Sequence, residues 1–331
     1  MPLTALQFSA PLASAAKSYL PQLATAVLAL ALAACAQLPL IGSGPAVPPN
    51  SPSSPAPADP VAPAPVPVVK APPVPPKVGL ALGGGAARGF AHIGVIQVLE
   101  EQGIKVDLVA GTSAGSLVAA LYASGMGGRE LATLAENMDE GAITDWAFPT
   151  RGLIRGEALA KYVREKTGGK NIEQMRMPLG VVATDLSDGS GSLFRRGDTG
   201  VAVRASSSVP AVFQPVRIGS RDYVDGGLVA PVPVRYARQM GAELVIAVDI
   251  SSPPEEKPGT GAIPMLMQTF SIMGRSINNF ELREADVLIR PKLDGVGSAD
   301  FSARRRSIQA GREAAQAALP QLRARIAEKS R

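Results

Sequence analysis

Gly111-Thr112-Ser113-Ala114-Gly115 decides how this chain folds, because of what flanks it. Before it, Val106–Ala110 is a short apolar run that reads as a strand broken at Gly111. After it, Ala114–Ser124 is rich in small residues and reads as a helix. A serine on a sharp strand-to-helix turn has strained backbone angles, and its neighbours must be small for the turn to close. The following helix aims its N-terminus at the serine and favours the negative charge that forms during attack. Ser113 is the candidate nucleophile, and Gly111 and Gly115 are the residues that let the turn close.

The alternation of strand and helix extends in both directions. Val78–Leu82 is a short apolar strand ending in glycines, and Arg88–Gln102 follows with helical spacing until Gly103. Leu179–Thr184 and Leu244–Ile250 are fully apolar strands, with Val287–Arg290 as a last one. Helices are expected at Glu157–Lys166, Val234–Met240, Met265–Arg283 and Ala303–Glu328. Buried apolar strands alternating with helices predict an α/β domain with a mainly parallel sheet. No internal repeat interrupts it, and residues 78–331 suit a single domain.

Upstream the composition changes. In residues 1–34 the only charged side chain is Lys17, and Leu23–Ala34 is an apolar run too short to span a bilayer unaided. It ends in Leu32-Ala33-Ala34-Cys35, which resembles the bacterial lipobox. The expectation is a signal peptide over 1–34 and a lipid attached to Cys35, the only cysteine of the chain. Ala36 after it implies sorting to the outer membrane. Residues 36–77 hold half of the 30 prolines and almost no charge. Together with Cys35 they read as a tether leaning to polyproline II, reaching on the order of 100 Å.

Composition excludes several functions. Apolar residues make up 46% and charged ones 18%, as in a globular protein. Net charge is only +5 and aromatics are 4%, which offers nucleic acid neither a dense basic field nor a stacking platform. A lone cysteine rules out an internal disulfide.

The single histidine, His92, decides between mechanisms. The usual GxSxG hydrolase has the chain order serine, acid, histidine. Here the histidine precedes Ser113, so another base is needed. Asp225-Gly226-Gly227 supplies a candidate. A water-poor cleft raises a carboxylate's pKa and strengthens it as a base, and Gly226 and Gly227 allow close backbone approach. Gly83-Gly84-Gly85-Ala86-Ala87-Arg88-Gly89 lies between the first strand and helix, where exposed N–H groups can face an oxyanion. Its spacing is neither G-x-G-x-x-G nor a Walker loop, which argues against a nucleotide. Arg88 can fix the loop or help hold charge.

With GGGAARG, GTSAG and DGG in this order, the chain resembles the bacterial branch of the patatin-like phospholipase family over roughly Val78 to Arg290. Ala205-Ser206-Ser207-Ser208-Val209-Pro210 is similar to the family's intermediate block. The resemblance implies a three-layer α/β/α fold, a Ser113–Asp225 dyad, no metal or other cofactor, and phospholipid or lysophospholipid acyl esters as substrates. It maps the oxyanion loop to Gly84, Gly85 and Ala86, with Arg88 adjacent. Ala86 departs from the third glycine of plant patatins. Other readings are a catalytically silent lipid-binding lipoprotein and an esterase or thioesterase for small soluble acyl groups. His92 is read as a packed helix residue or a helper near the oxyanion. Arg304-Arg305-Arg306 with Arg312, Arg323 and Arg325 is read as a solvated helix face or a contact for anionic head groups. Trp146 and Phe148 border the substrate entrance or anchor the core.

Overall fold

A sheet of eight strands carries the fold, in the order β5-β6-β3-β2-β1-β7-β8 with β4 beside β3. The computed structural model describes residues 73–139, 141, 155–253, 259–297 and 299–331. The expected signal, Cys35, most of the tether, Trp146 and Phe148 lie outside the described residues. The strands are β1 (Val78–Leu82), β2 (Leu108–Thr112), β3 (Leu179–Asp185), β4 (Gly191–Phe194), β5 (Val216–Ile218), β6 (Arg221–Asp225), β7 (Leu244–Val248) and β8 (Val287–Ile289). The helices are α1 (Phe90–Glu101), α2 (Ala114–Ala123), α3 (Gly128–Glu136), α4 (Glu157–Lys166), α5 (Thr199–Ser206), α6 (Val234–Gln239), α7 (Ala262–Glu281) and α8 (Arg304–Lys329).

β3, β2, β1, β7 and β8 run parallel, while β4, β5 and β6 add antiparallel pairs at one side. This is a patatin-like α/β fold with a mixed, mostly parallel sheet flanked by helices. Alternation along the strands sorts the core into two layers. Leu80 and Leu82 of β1, with Leu244, Ile246 and Val248 of β7, pack under α1, α2, α3 and α8. Ala81, Val245 and Ala247 face the other way, toward Val234 and Ala237 of α6. All of these strand residues are fully buried. Such continuous apolar runs are what a parallel sheet covered on both faces requires.

α1 carries the glycine-rich loop at its start, and α8 holds it in place. A β-carbon on Gly94 would lie 1.9 Å from the Ile308 carbonyl oxygen, and one on Gly311 2.0 Å from that of Ala91. The two helices therefore touch backbone to backbone. The arginines of α8 mostly bind neighbouring elements rather than standing free. Arg304 donates to the Ala135 and Met138 carbonyls, both at 3.0 Å, and Arg312 makes a two-pronged pair with Glu101 at 2.8 Å.

Candidate active site

β2 ends at Thr112 and α2 begins at Ala114, which leaves Ser113 alone on the turn. Its φ of 53° and ψ of −125° lie where a side chain is strained, by about 1–3 kcal/mol. The surroundings hold it there. A β-carbon on Gly111 would lie 2.5 Å from the Gly115 carbonyl oxygen, and one on Gly115 2.2 Å from that of Leu82. The Ser113 carbonyl accepts from the Ser116 N–H at 2.8 Å and the Ser116 hydroxyl at 2.6 Å.

The Ser113 N–H donates to Ser206 Oγ at 2.9 Å. Ser206, on the last turn of α5, is fully buried and donates its own hydroxyl to the Val182 carbonyl of β3 at 2.5 Å. Ser206 belongs to the Ala205–Pro210 block, and its hydroxyl is a second one next to Asp225 and Ser113 in the fold. Burial and the bond to Val182 make Ser206 a brace for the turn instead of a nucleophile.

Asp225 comes to the same place through the sheet. β2 pairs with β3 as far as Thr112 opposite Val182, and the next partner pair on β3 is Ala183 with Asp225. Because β4 pairs with Val181–Thr184, it occupies the other flank of β3. β6 must therefore lie on the flank that β2 vacates, which brings its last residue to the end of β2. The Asp225 N–H donates to the Ser208 carbonyl at 2.9 Å, and Thr184 Oγ1 donates to the Asp225 carbonyl at 2.8 Å. Gly226 fits because a β-carbon there would lie 2.2 Å from the Val182 oxygen.

The carboxyl of Asp225 is buried. Its Oδ1 accepts the Gly227 N–H at 2.7 Å, while Oδ2 has no full hydrogen bond. Burial raises its pKa from 3.8 to about 6, and the Gly227 N–H and the Ser113 hydroxyl pull it part of the way back. The Ser113 hydroxyl is thus close enough to act on the carboxyl, although its geometry falls short of a complete bond to Oδ2.

The glycine-rich loop packs against the serine. A β-carbon on Gly84 would lie 3.1 Å from Ser113 Cβ. The expectation that Gly84 donates to an oxyanion is corrected, since its N–H is already bound to the Pro231 carbonyl at 2.9 Å. The N–H groups of Gly85 and Ala86 donate to nothing among the described residues. Ala86 adopts φ 49°, so the residue that replaces a glycine bears strain of its own.

His92 is fully buried, with Nε2–H donating to the Gly83 carbonyl at 2.8 Å. Burial pushes its pKa down to about 4, more than the Gly83 carbonyl and Asp249 push it up. It is a neutral imidazole that fastens the start of the loop. Arg88 is buried as well, and its Nε has no partner. Burial lowers its pKa, while nearby Asp249 opposes this.

A narrow apolar groove, partly open to solvent, begins at the loop and at the residue after Ser113. Ala86 and Ala114 form one end, and Leu117, Leu121, Leu131 and Phe301 line the rest. Positions 114, 117 and 121 follow α2, so the groove runs about 10 Å along that helix. The space lies where α3, Tyr162 of α4 and Phe301 meet α2.

A model of the family described as patatin-like phospholipase matches residues 80–238. An uncharacterized NTE family protein of Mycobacterium bovis is 38% identical over 192 residues, covering 57% of this chain and 53% of that protein. An uncharacterized NTE family protein of Mycobacterium tuberculosis is 32% identical over 269 residues, covering 73% of this chain and 46% of that protein. The chain thus spans about half the length of these curated relatives. Among solved structures, VipD from Legionella pneumophila is similar in fold, with a TM-score of 0.53 and 15% identity over 74% of this chain and 67% of that one. Motif order, strand topology and family model agree in likening residues 80–238 to a patatin-like phospholipase.

Proposed function

We propose that this chain is a serine acyl hydrolase that cleaves acyl esters of lipids, of phospholipase A or lysophospholipase type, through a Ser113–Asp225 dyad. The observation that carries the reading is a strained Ser113 whose hydroxyl acts on the buried, raised carboxyl of Asp225, with an apolar groove that begins at the next residue, Ala114.

At neutral pH a carboxyl with a pKa of about 6 is mostly ionised yet basic enough to take a proton. Asp225 accepts the Ser113 proton as Oγ attacks the ester carbonyl. The negative charge on the carbonyl oxygen falls to the Gly85 and Ala86 N–H groups. Collapse breaks the ester bond, and Asp225 returns its proton to the departing alcohol. Water then gives a proton to Asp225 and attacks the acyl-enzyme, and Ser113 leaves with that proton. The groove receives the acyl chain, so an alkyl ester of a lipid suits it better than a small polar ester. His92 takes no proton in this cycle, since burial holds its pKa down at about 4 and its Nε2–H is bound to a backbone carbonyl.

The same reading places the protein in the cell envelope, anchored by a lipid on Cys35 and sorted to the outer membrane. Support for this is the sequence Leu32-Ala33-Ala34-Cys35-Ala36. The test of the catalytic reading compares phospholipid, lysophospholipid and short-chain nitrophenyl esters with wild type and Ser113→Ala. Wild type should hydrolyse a long-chain lipid ester and the alanine variant none of the three. An alanine variant with more than a small fraction of wild-type turnover overturns the dyad.

A further inference from the structure

Of the exposed large apolar side chains, most are gathered on one helix. Met265, Ile272, Met273 and Phe280 of α7 are 68%, 52%, 44% and 70% exposed. At 100° per residue these four fall within a sector of about 100°, together with the uncharged Thr269 and Ser276. An apolar stripe of this size on a helix's solvent side marks an interaction surface rather than chance exposure.

Charge selects the partner. Between Ala262 and Phe280 α7 carries no carboxylate, and its only charged residue is Arg275, which is exposed. Just beyond, Glu281 is turned inward and paired with Arg235 at 2.5 Å, while Arg283 is exposed beside the Phe280 ring. The outer face thus shows apolar side chains flanked by guanidinium groups. The inner face packs on the turn Gly226–Leu228 that follows Asp225. Gly274 lies against Pro231, whose carbonyl binds the Gly84 N–H. Whatever α7 rests on is therefore brought next to the glycine-rich loop.

We propose that α7 is an interfacial helix that lies flat on a lipid bilayer and presents the site to lipid at its surface. Among the described residues no helix is long and apolar enough to cross a membrane, so α7 lies on the bilayer rather than through it. Its 20 residues give a contact line of about 30 Å. Met265, Ile272 and Phe280 enter the boundary between head groups and acyl chains, and Arg275 and Arg283 meet phosphates. This inference rests on the reading of the chain as a lipid hydrolase, since it supplies that site with its substrate.

The test uses the full chain with Cys35→Ser, which removes the only cysteine. Ile272→Cys is then labelled with an environment-sensitive fluorophore and mixed with vesicles of phosphatidylcholine and phosphatidylglycerol. Ser220→Cys, on the exposed turn between β5 and β6, is the control. A blue shift at position 272 and none at 220 is the expected result. No shift at 272, or equal shifts at both, overturns the proposal. A shift at 272 that grows with protein concentration without lipid shows a second copy on this face and overturns it too.

An activity test separates this inference from the one beneath it. Ile272→Ser with Phe280→Ser should lower vesicle hydrolysis by at least about tenfold, because each exposed side chain forfeits burial in the lipid. Hydrolysis of a short soluble ester should remain as in wild type. Unchanged vesicle hydrolysis refutes the interfacial helix. A wild type that hydrolyses no ester at all refutes the hydrolase reading, whatever the fluorophore at position 272 reports.

Discussion

Replacing Asp225 by asparagine should destroy activity and abolish the loss of stability that its carboxyl causes as the pH rises, both for the same reason. In the folded protein the carboxyl titrates at about 6 instead of 3.8. Because this pKa is raised, the folded state holds the proton more tightly than the unfolded chain does. The resulting stabilisation is fully present below about pH 4 and is lost as the pH rises through about 6. The displacement corresponds to about 3 kcal/mol, at 1.36 kcal/mol per pH unit. Asparagine does not titrate and escapes the loss. Its Oδ1 can keep the Gly227 N–H, but its amide nitrogen replaces the unpartnered Oδ2, which adds a penalty of about 1–3 kcal/mol that does not depend on pH. The difference between two pH values removes that constant. Urea unfolding of both proteins at pH 4 and pH 8 measures it. Asp225→Asn should gain about 2.4 kcal/mol on wild type between the two, because the unfolded carboxyl is already partly ionised at pH 4. A gain near zero would show that the carboxyl is not held as a raised, buried acid, and the case for it as a base would fall.

Further outcomes follow from the neighbouring residues. Ser206→Ala leaves the Ser113 N–H without its 2.9 Å partner and should lower kcat by about 10–100-fold with KM unchanged, since misplacement of a catalytic group by an ångström has that effect. The pH–rate profile of wild type should rise through about 6 as Asp225 ionises, and steady-state kinetics on folded His92→Ala should show the same limb. That variant should lose about 2–4 kcal/mol of stability in urea, from the cavity and the stranded Gly83 carbonyl. Leu117→Trp fills the groove beside Ser113 and should reduce turnover of long-chain esters at least about tenfold more than that of acetyl esters, judged by kcat/KM. Cys35→Ser should release the protein from the membrane fraction, and an unmodified mature N-terminus at Ala36 in the mass spectrum would refute the lipid anchor.

Local chemistry is what the sequence makes legible. β1 at Val78–Leu82 and α4 at Glu157–Lys166 coincide with the elements expected from apolar runs and helical spacing, because burial alone determines them. The glycines of the serine turn are likewise legible, since their need for space arises within a few residues and one adjacent strand. β4, the three-residue β5 and most of β6 are not. Their residues are polar or half-exposed, so no apolar run marks them, and β6 also pairs with β3, far back in the chain. The handover from Thr112 to Asp225 along β3 is a property of that pairing, so Asp225 reads only as a glycine-flanked acid until the sheet is assembled. Gly84 shows the reverse case. Its place in the loop is visible in the motif, but the loss of its N–H to Pro231 depends on a contact almost 150 residues away in a numbering that periodicity does not bridge. Ser206 stands in a block the sequence marks, yet only the 2.9 Å bond to Ser113 gives it a task. α3 and α5 went unread because their short amphipathic patterns are split by polar and small residues.

A fluorophosphonate probe tests the dyad most directly, because it reacts only with a serine made nucleophilic by its surroundings. Intact mass and peptide mapping of the labelled full chain should show a single adduct, on Ser113. It should be absent from Ser113→Ala and form at least about a hundredfold more slowly in Asp225→Asn, the loss expected when a general base is removed. His92→Ala should label at close to the wild-type rate at equal folded fraction. An adduct on another serine, or undiminished labelling of folded Asp225→Asn, would contradict the assignment of Ser113 and Asp225 as nucleophile and base.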